Sequence, residues 1–252
     1  LWTALSEVSR GVDVASLLNK WTLVAGYPLL KVTQPSPTTL SITQSKMTFT
    51  NIIATATTDQ KWWVPLKMIV NDGKKEESSA AASPTQIKFL MDDFTHNLTL
   101  PSPVEWLKIN AGQTAVVRVL YDVPLLKKLG NAVKKNGGAL LSGADKLGLE
   151  GDSFALAKAG LIQTSNALEL ASAFDEEQDS NVMTDLAANL DLVRSLIRDQ
   201  KDTVPLMNQF VKKVFMKLGA KLGWEKRPEE TDLLVELRST VLRHPVAVND
   251  SQ

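Results

Sequence analysis

Two histidines, His96 and His244, are the whole imidazole complement of this 252-residue chain, and it contains no cysteine. An enzymatic zinc centre ordinarily takes three protein ligands, with histidine usually among them. No H-E-x-x-H stands anywhere in the sequence, so the zinc site of that protease type has no ligands here. His96 falls on the apolar side of a predicted strand and His244 precedes Pro245; a structural role is the reading for both. Without cysteine, thiolate chemistry and disulfides are excluded together. G-x-S-x-G and the phosphate-cradling G-x-x-x-x-G-K are also missing. The acidic run Asp175-Glu176-Glu177 with Asp179 precedes a helical pattern, where it suits the positive end of the helix dipole better than acid–base catalysis. Lys127-Lys128, Lys134-Lys135 and Lys212-Lys213 read as solvated helix faces. Asn97-Leu98-Thr99 matches the glycosylation sequon. No residue is therefore nominated as catalytic, cofactor-binding or metal-ligating.

The elements that would position such groups divide into two textures. Up to about Asp122 the chain is rich in Thr, Val, Ile and Trp with period-two alternation; beyond it Leu, Ala, Lys and Asp recur at helical spacing. A β part followed by an α part, without βαβ alternation, predicts segregated layers. Phe94, His96, Leu98 and Leu100 alternate with Thr95, Asn97 and Thr99. Trp62, Val64, Leu66, Met68 and Val70 make a second apolar face, and Ala115, Val117, Val119 and Tyr121 a third. With segments 27–33, 40–49, 86–91 and 104–109 this gives about seven short strands, the pattern of a sandwich. Segment 71–84, reading NDGKKEESSAAASP, holds no apolar residue larger than alanine and predicts a long mobile hairpin loop.

Helical spacing begins and ends the chain. Leu5 and Val8 are three apart; after Gly11, Val14, Leu17, Leu18 and Trp21 form a stripe that Asp13 is placed to cap. Later, Val182, Leu186, Leu190, Val193 and Ile197 step by three or four. So do Met207, Phe210, Val214, Leu218 and Leu222, and then Leu234, Leu237 and Val241. Gly137-Gly138, Gly160, Gly223 and Pro228 fall where helices should end or begin.

Composition adds bounds. The chain is 44% hydrophobic and 22% charged, with 28 basic and 28 acidic residues. Zero formal charge gives no general attraction to nucleic acid or to an anionic membrane, and no apolar run is long enough to span a bilayer. A start at Leu1 without methionine predicts an excised piece of a longer protein.

Several stretches, in order, resemble the zinc aminopeptidases of the aminopeptidase N and puromycin-sensitive group. Trp21-Thr22 with Gly26-Tyr27-Pro28 resembles that family's W-T … G-(Y/F)-P junction between catalytic domain and β-sandwich. Trp63-Val64-Pro65-Leu66 resembles its W-x-(I/V)-P-L strand. Trp106-Leu107-Lys108-Ile109-Asn110, Gly112-Gln113-Thr114, Arg118-Val119 and Tyr121 resemble W-x-K-x-N-x-G-Q-x-G-x-Y-R-V-x-Y. Leu141-Ser142, Asp145-Lys146, Leu149, Asp152, Phe154-Ala155-Leu156-Ala157 and Gly160 resemble L-S-x-x-D-R-x-x-L-x-x-D-x-F-x-L-A-x-x-G. Leu222-Gly223-Trp224 and Leu237-Arg238 resemble L-G-W and L-R. Val116 and Val117 stand where aromatics are common, Lys146 replaces an arginine, and Ser180 and Met183 replace Tyr and Trp, as in a divergent member.

The resemblance implies an α+β chain: an all-β sandwich followed by an α-helical, superhelical domain of HEAT/ARM type. Residues 1–25 would end a missing catalytic domain, 26–122 form the sandwich and 123–252 begin the helical domain. It implies a non-catalytic C-terminal region whose helices cover the active site and limit access, with zinc held only by the parent enzyme. The implied partners are the missing catalytic domain and, in the parent, a peptide; no nucleic acid or membrane is expected. Its cut edges would favour self-association, and the lack of cysteine points to the cytoplasm. The rival reading is a stand-alone interaction or scaffold module, or a non-catalytic paralogue.

Overall fold

The computed structural model describes residues 1–9, 11–49, 60–73 and 84–249. It opens with a helical hairpin, α1 (Trp2–Val8) and α2 (Val14–Thr22). Asp13 caps α2 as its position predicts, its carboxylate accepting from the Ser16 amide and hydroxyl; those bonds hold its pKa below the usual carboxylate value. Neither helix has a buried residue. What ties α2 to the strands is aromatic: the Trp21 indole donates to the Trp63 carbonyl at 3.1 Å, and its ring lies 6.2 Å from that of Trp62.

Seven strands follow among the described residues, at each of the seven predicted segments. They are β1 (Pro28–Ser36), β2 (Thr39–Lys46), β3 (Val64–Asn71), β4 (Thr85–Met91), β5 (Thr95–Thr99), β6 (Trp106–Ile109) and β7 (Arg118–Tyr121). They build a four-stranded sheet of order β5-β2-β1-β7 and a three-stranded sheet of order β4-β3-β6. All pairings are antiparallel except β1 with β7. Pro65, which has no N–H to give, precedes the point at Met68 where β6 joins β3, so the missing donor interrupts no second ladder. Leu30, Val32, Leu40, Ile42, Val64, Leu66 and Met68 supply the buried faces.

Polar bridges connect the two sheets. The buried Gln44 of β2 accepts from the Trp62 amide at 2.8 Å and donates to the carbonyls of Trp62 (3.0 Å) and Asp93 (2.7 Å). The Tyr121 hydroxyl of β7 accepts from the Ile109 amide of β6 at 2.8 Å. β7 is shorter than the alternation from Ala115 predicts, and Asn110 is the reason. Fully buried and left-handed at φ 57°, it accepts from the Ala115 amide and donates to the Ala115 carbonyl. Both backbone groups of Ala115 are therefore occupied before a ladder can form. Most of the predicted loop 71–84 lies outside the described residues.

The rest is helical: α3 (Val123–Lys134), α4 (Gly143–Lys158), α5 (Thr164–Ala171), α6 (Ser180–Leu196), α7 (Val204–Leu222) and α8 (Asp232–Asn249). The chain resolves into two compact units, 1–129 and 130–252, the division falling inside α3. The predicted stripes are the buried ones: Val182, Leu186 and Leu190 on α6, Met207, Val214, Leu218 and Leu222 on α7, Leu237 and Val241 on α8. Gly138, Gly160 and Gly223 all take positive φ at helix ends. The architecture is α+β, sheets preceding a run of helices.

Candidate functional site

The densest polar construction in the helical unit surrounds the start of α4. Ser142 caps that helix, accepting from the Asp145 amide, while the Asp145 carboxylate accepts from the Ser142 amide. One residue on, the Lys146 ammonium lies 2.6 Å from the Glu177 carboxylate, both side chains nearly buried. Glu177 also accepts from the amides of Gln178 and Asp179. Asp179 caps α6 through the amides of Asn181 and Val182. Its other oxygen lies so close to Gly143 that a Cβ there would collide with it. One carboxylate thus serves the positive ends of α4 and α6 together.

The remaining acids of the run reach α7. The Lys217 ammonium is 2.7 Å from Asp175 and 3.0 Å from Glu176, and these bonds raise its pKa above the ordinary lysine value. Lys221 donates to Gln178 at 2.8 Å. The sequence reading of this run as a helix-end feature holds for Asp179. What it missed is that Asp175, Glu176 and Glu177 connect α4, α6 and α7 through ion pairs. No sequence signal marked Lys146 and Lys217 as their partners, because 31 and 42 residues of helix and turn separate the pairs.

A second corner lies between α7 and α8. Arg238 of α8 donates to the carbonyls of Gly223 and Leu222, the unsatisfied C-terminal groups of α7. It also pairs with Glu230, whose carboxyl it holds below the usual range, while Glu230 raises the guanidinium pKa. The L-G-W and L-R stretches of the sequence are thus the two sides of one helix corner.

Both histidines are engaged in packing. The buried His244 stacks on Phe215 of α7 at 4.9 Å, with Nδ1 2.6 Å from the Thr240 carbonyl and Nε2 3.1 Å from the Asp191 carboxylate of α6. His96 stacks on Phe89 at 5.1 Å, bringing β5 against β4. Of the paired lysines, Lys128 donates to Gln34 at 3.0 Å, and Lys134, Lys212 and Lys213 are exposed. Asn97 is exposed on the edge strand β5. Among the described residues no three His, Asp or Glu side chains converge as a metal site, and no helix is long and apolar enough to cross a membrane.

These arrangements hold helices and sheets together, and what they belong to is decided by comparison. The family model for the ERAP1-like C-terminal domain matches residues 106–252, more than half of the chain. The chain belongs to the ERAP1-like C-terminal domain family. Beyond the domain, the whole chain is 24% identical to Aminopeptidase 2 of Candida albicans, covering 26% of that protein. Over 96% of its length it is 28% identical to the puromycin-sensitive aminopeptidase of Caenorhabditis elegans, covering 25% of it. Over 90% it is 26% identical to the human thyrotropin-releasing hormone-degrading ectoenzyme, covering 22% of it. The chain therefore spans about a quarter of the length of these relatives. As an ERAP1-like C-terminal domain it carries its family resemblance in structural positions. Asn110 and Tyr121 fix the turn before β7, Ser142 and Asp145 form the capping box, and Leu149, Phe154 and Leu156 are core.

Proposed function

We propose that the chain is the non-catalytic C-terminal region of a zinc aminopeptidase that removes N-terminal residues from peptides. The observation that carries this reading is the match of nearly the whole chain to aminopeptidases about four times its length. Zinc, the general-base glutamate and the site for the peptide's free amine belong, in this reading, to a catalytic domain that the chain does not span. The residues present do not fit a zinc ion: there are two histidines and no cysteine in the sequence, and both imidazoles are committed to packing and hydrogen bonds. Residues 1–25 would close the catalytic domain, 26–122 act as a spacer, and the helices from 123 begin a superhelical cover that restricts access to the active site. Leu1, Val8 and Leu23 are largely exposed, which suits contact with the catalytic domain and, in the isolated chain, self-association. The absence of cysteine favours the cytoplasm.

Assay of the purified chain tests the division of labour. Aminoacyl fluorogenic substrates are expected to remain intact, and elemental analysis to find zinc well below one equivalent. Zinc near one equivalent, with hydrolysis abolished by a chelator, would overturn it.

A further inference from the structure

We propose that Gly130 is a built-in bending point of α3. The N-terminal half of this helix is fastened to the strands. The Asp122 amide donates to the Val32 carbonyl at 3.1 Å, and its carboxylate accepts from the amides of Leu125 (2.9 Å) and Gln34 (3.4 Å). Lys128 adds a bond to Gln34, and Leu125, Leu126 and Leu129 are buried. One residue, Asp122, separates β7 from α3. No loop is therefore available at this connection, and any adjustment must be taken up inside the helix itself.

Gly130 stands at the residue where the two compact units part. Nothing local requires a glycine there. Its φ is not positive, and a Cβ would meet only Leu170 Cδ1, at an ordinary 3.6 Å. Alanine would fit and would be the better helix former. What glycine supplies instead is a lower resistance to departing from helical φ and ψ. Ala132 and Val133, just beyond it, are buried again, so the soft residue lies between two packed segments rather than at a fraying end. This inference is independent of the aminopeptidase reading, since it concerns only the helix and its anchors.

Spin labels test it cleanly, because the chain has no native cysteine to compete. Labels at Thr43→Cys and Ser195→Cys, both exposed positions, report a distance distribution by double electron–electron resonance. Gly130→Ala is expected to narrow that distribution to about half its width, the helix losing its soft point. Gly219→Ala, another helix-interior glycine with open space for a Cβ at 3.5 Å, is the control and should leave the width unchanged. Asn131→Gly, at an exposed position, should widen it. An unchanged width with Gly130→Ala, or equal narrowing by both alanine variants, would overturn the proposal.

Discussion

The two units bury polar groups in opposite ways. In the strand unit the bridge is neutral: Gln44 meets three backbone groups with one amide, and every bond is between uncharged partners. In the helical unit the bridge is ionic: Lys146 and Glu177 face each other at 2.6 Å in a nearly dry setting. The difference follows from the elements being joined. Sheets leave backbone donors and acceptors where strands enter and leave, and an amide matches both kinds. Helices satisfy their own backbones except at the ends, and the clustered starts of α4 and α6 present positive dipole ends that call for carboxylates. A charged bridge is therefore expected to be less forgiving when halved, and more replaceable when removed whole.

The largest effect should come from halving the ionic bridge. Lys146→Ala leaves the Glu177 carboxylate without its cation, and breaking a buried pair in this way costs about 3–5 kcal/mol. Replacing the pair together, as Lys146→Met with Glu177→Leu, removes both desolvation costs. The double variant should recover most of the loss, although the amides of Gln178 and Asp179 give up an acceptor. Urea unfolding of the two variants beside the parent measures this. Equal destabilisation by both would show that the ionic attraction is not what matters at this site.

Gln44→Leu should be the next largest. It strands the Trp62 amide and two carbonyls, and an unmet buried group costs roughly 1–3 kcal/mol, so about 2–3 kcal/mol is expected. The loss should be insensitive to salt between low and moderate ionic strength, since no charge is involved. A strongly salt-dependent loss would mean that the bridge acts through the neighbouring Lys61–Asp93 pair, 3.0 Å apart at the surface, where the lysine holds the Asp93 pKa down.

The same contrast governs what was legible beforehand. Strands were visible because one face is buried and the other wet, as in β5, where exposed Thr95, Asn97 and Thr99 alternate with half-buried His96 and Leu98. α6, α7 and α8 were visible for the same reason, through their single apolar stripes. α4 was not, as an amphipathic helix. It buries Asp145, Lys146, Glu150, Asp152 and Ser153 alongside Leu149, Phe154 and Leu156, so polarity no longer reports exposure. That helix was recognisable only by its resemblance to a family motif. The ion pairs were invisible for a different reason: each joins residues far apart in the chain, and charge alone does not say which lysine meets which acid.

The smallest effects separate the units by sign, at two glycines. Gly112 lies at φ +72° in the short turn Ala111–Gln113, between Asn110 at 57° and Gln113 at 52°. A Cβ there would meet only the end of the Lys67 side chain, at 3.4 Å, so space is not the obstacle. The backbone is: a left-handed conformation costs an L-residue roughly 1–2 kcal/mol, and Gly112→Ala should destabilise by about that amount. Gly219 is the reverse case. It lies inside α7 with ordinary helical φ, and a Cβ would rest 3.5 Å from Val241 and Leu242 of α8, normal contact distance. Alanine there removes backbone freedom from the unfolded chain and adds apolar contact to the folded one, so Gly219→Ala should stabilise by up to about 1 kcal/mol. Thermal unfolding of the two variants reads both signs in one experiment. A loss at Gly219 would mean that α7 and α8 pack too tightly to admit even one methyl group, and that this face of the helical unit is as demanding as the strand turns.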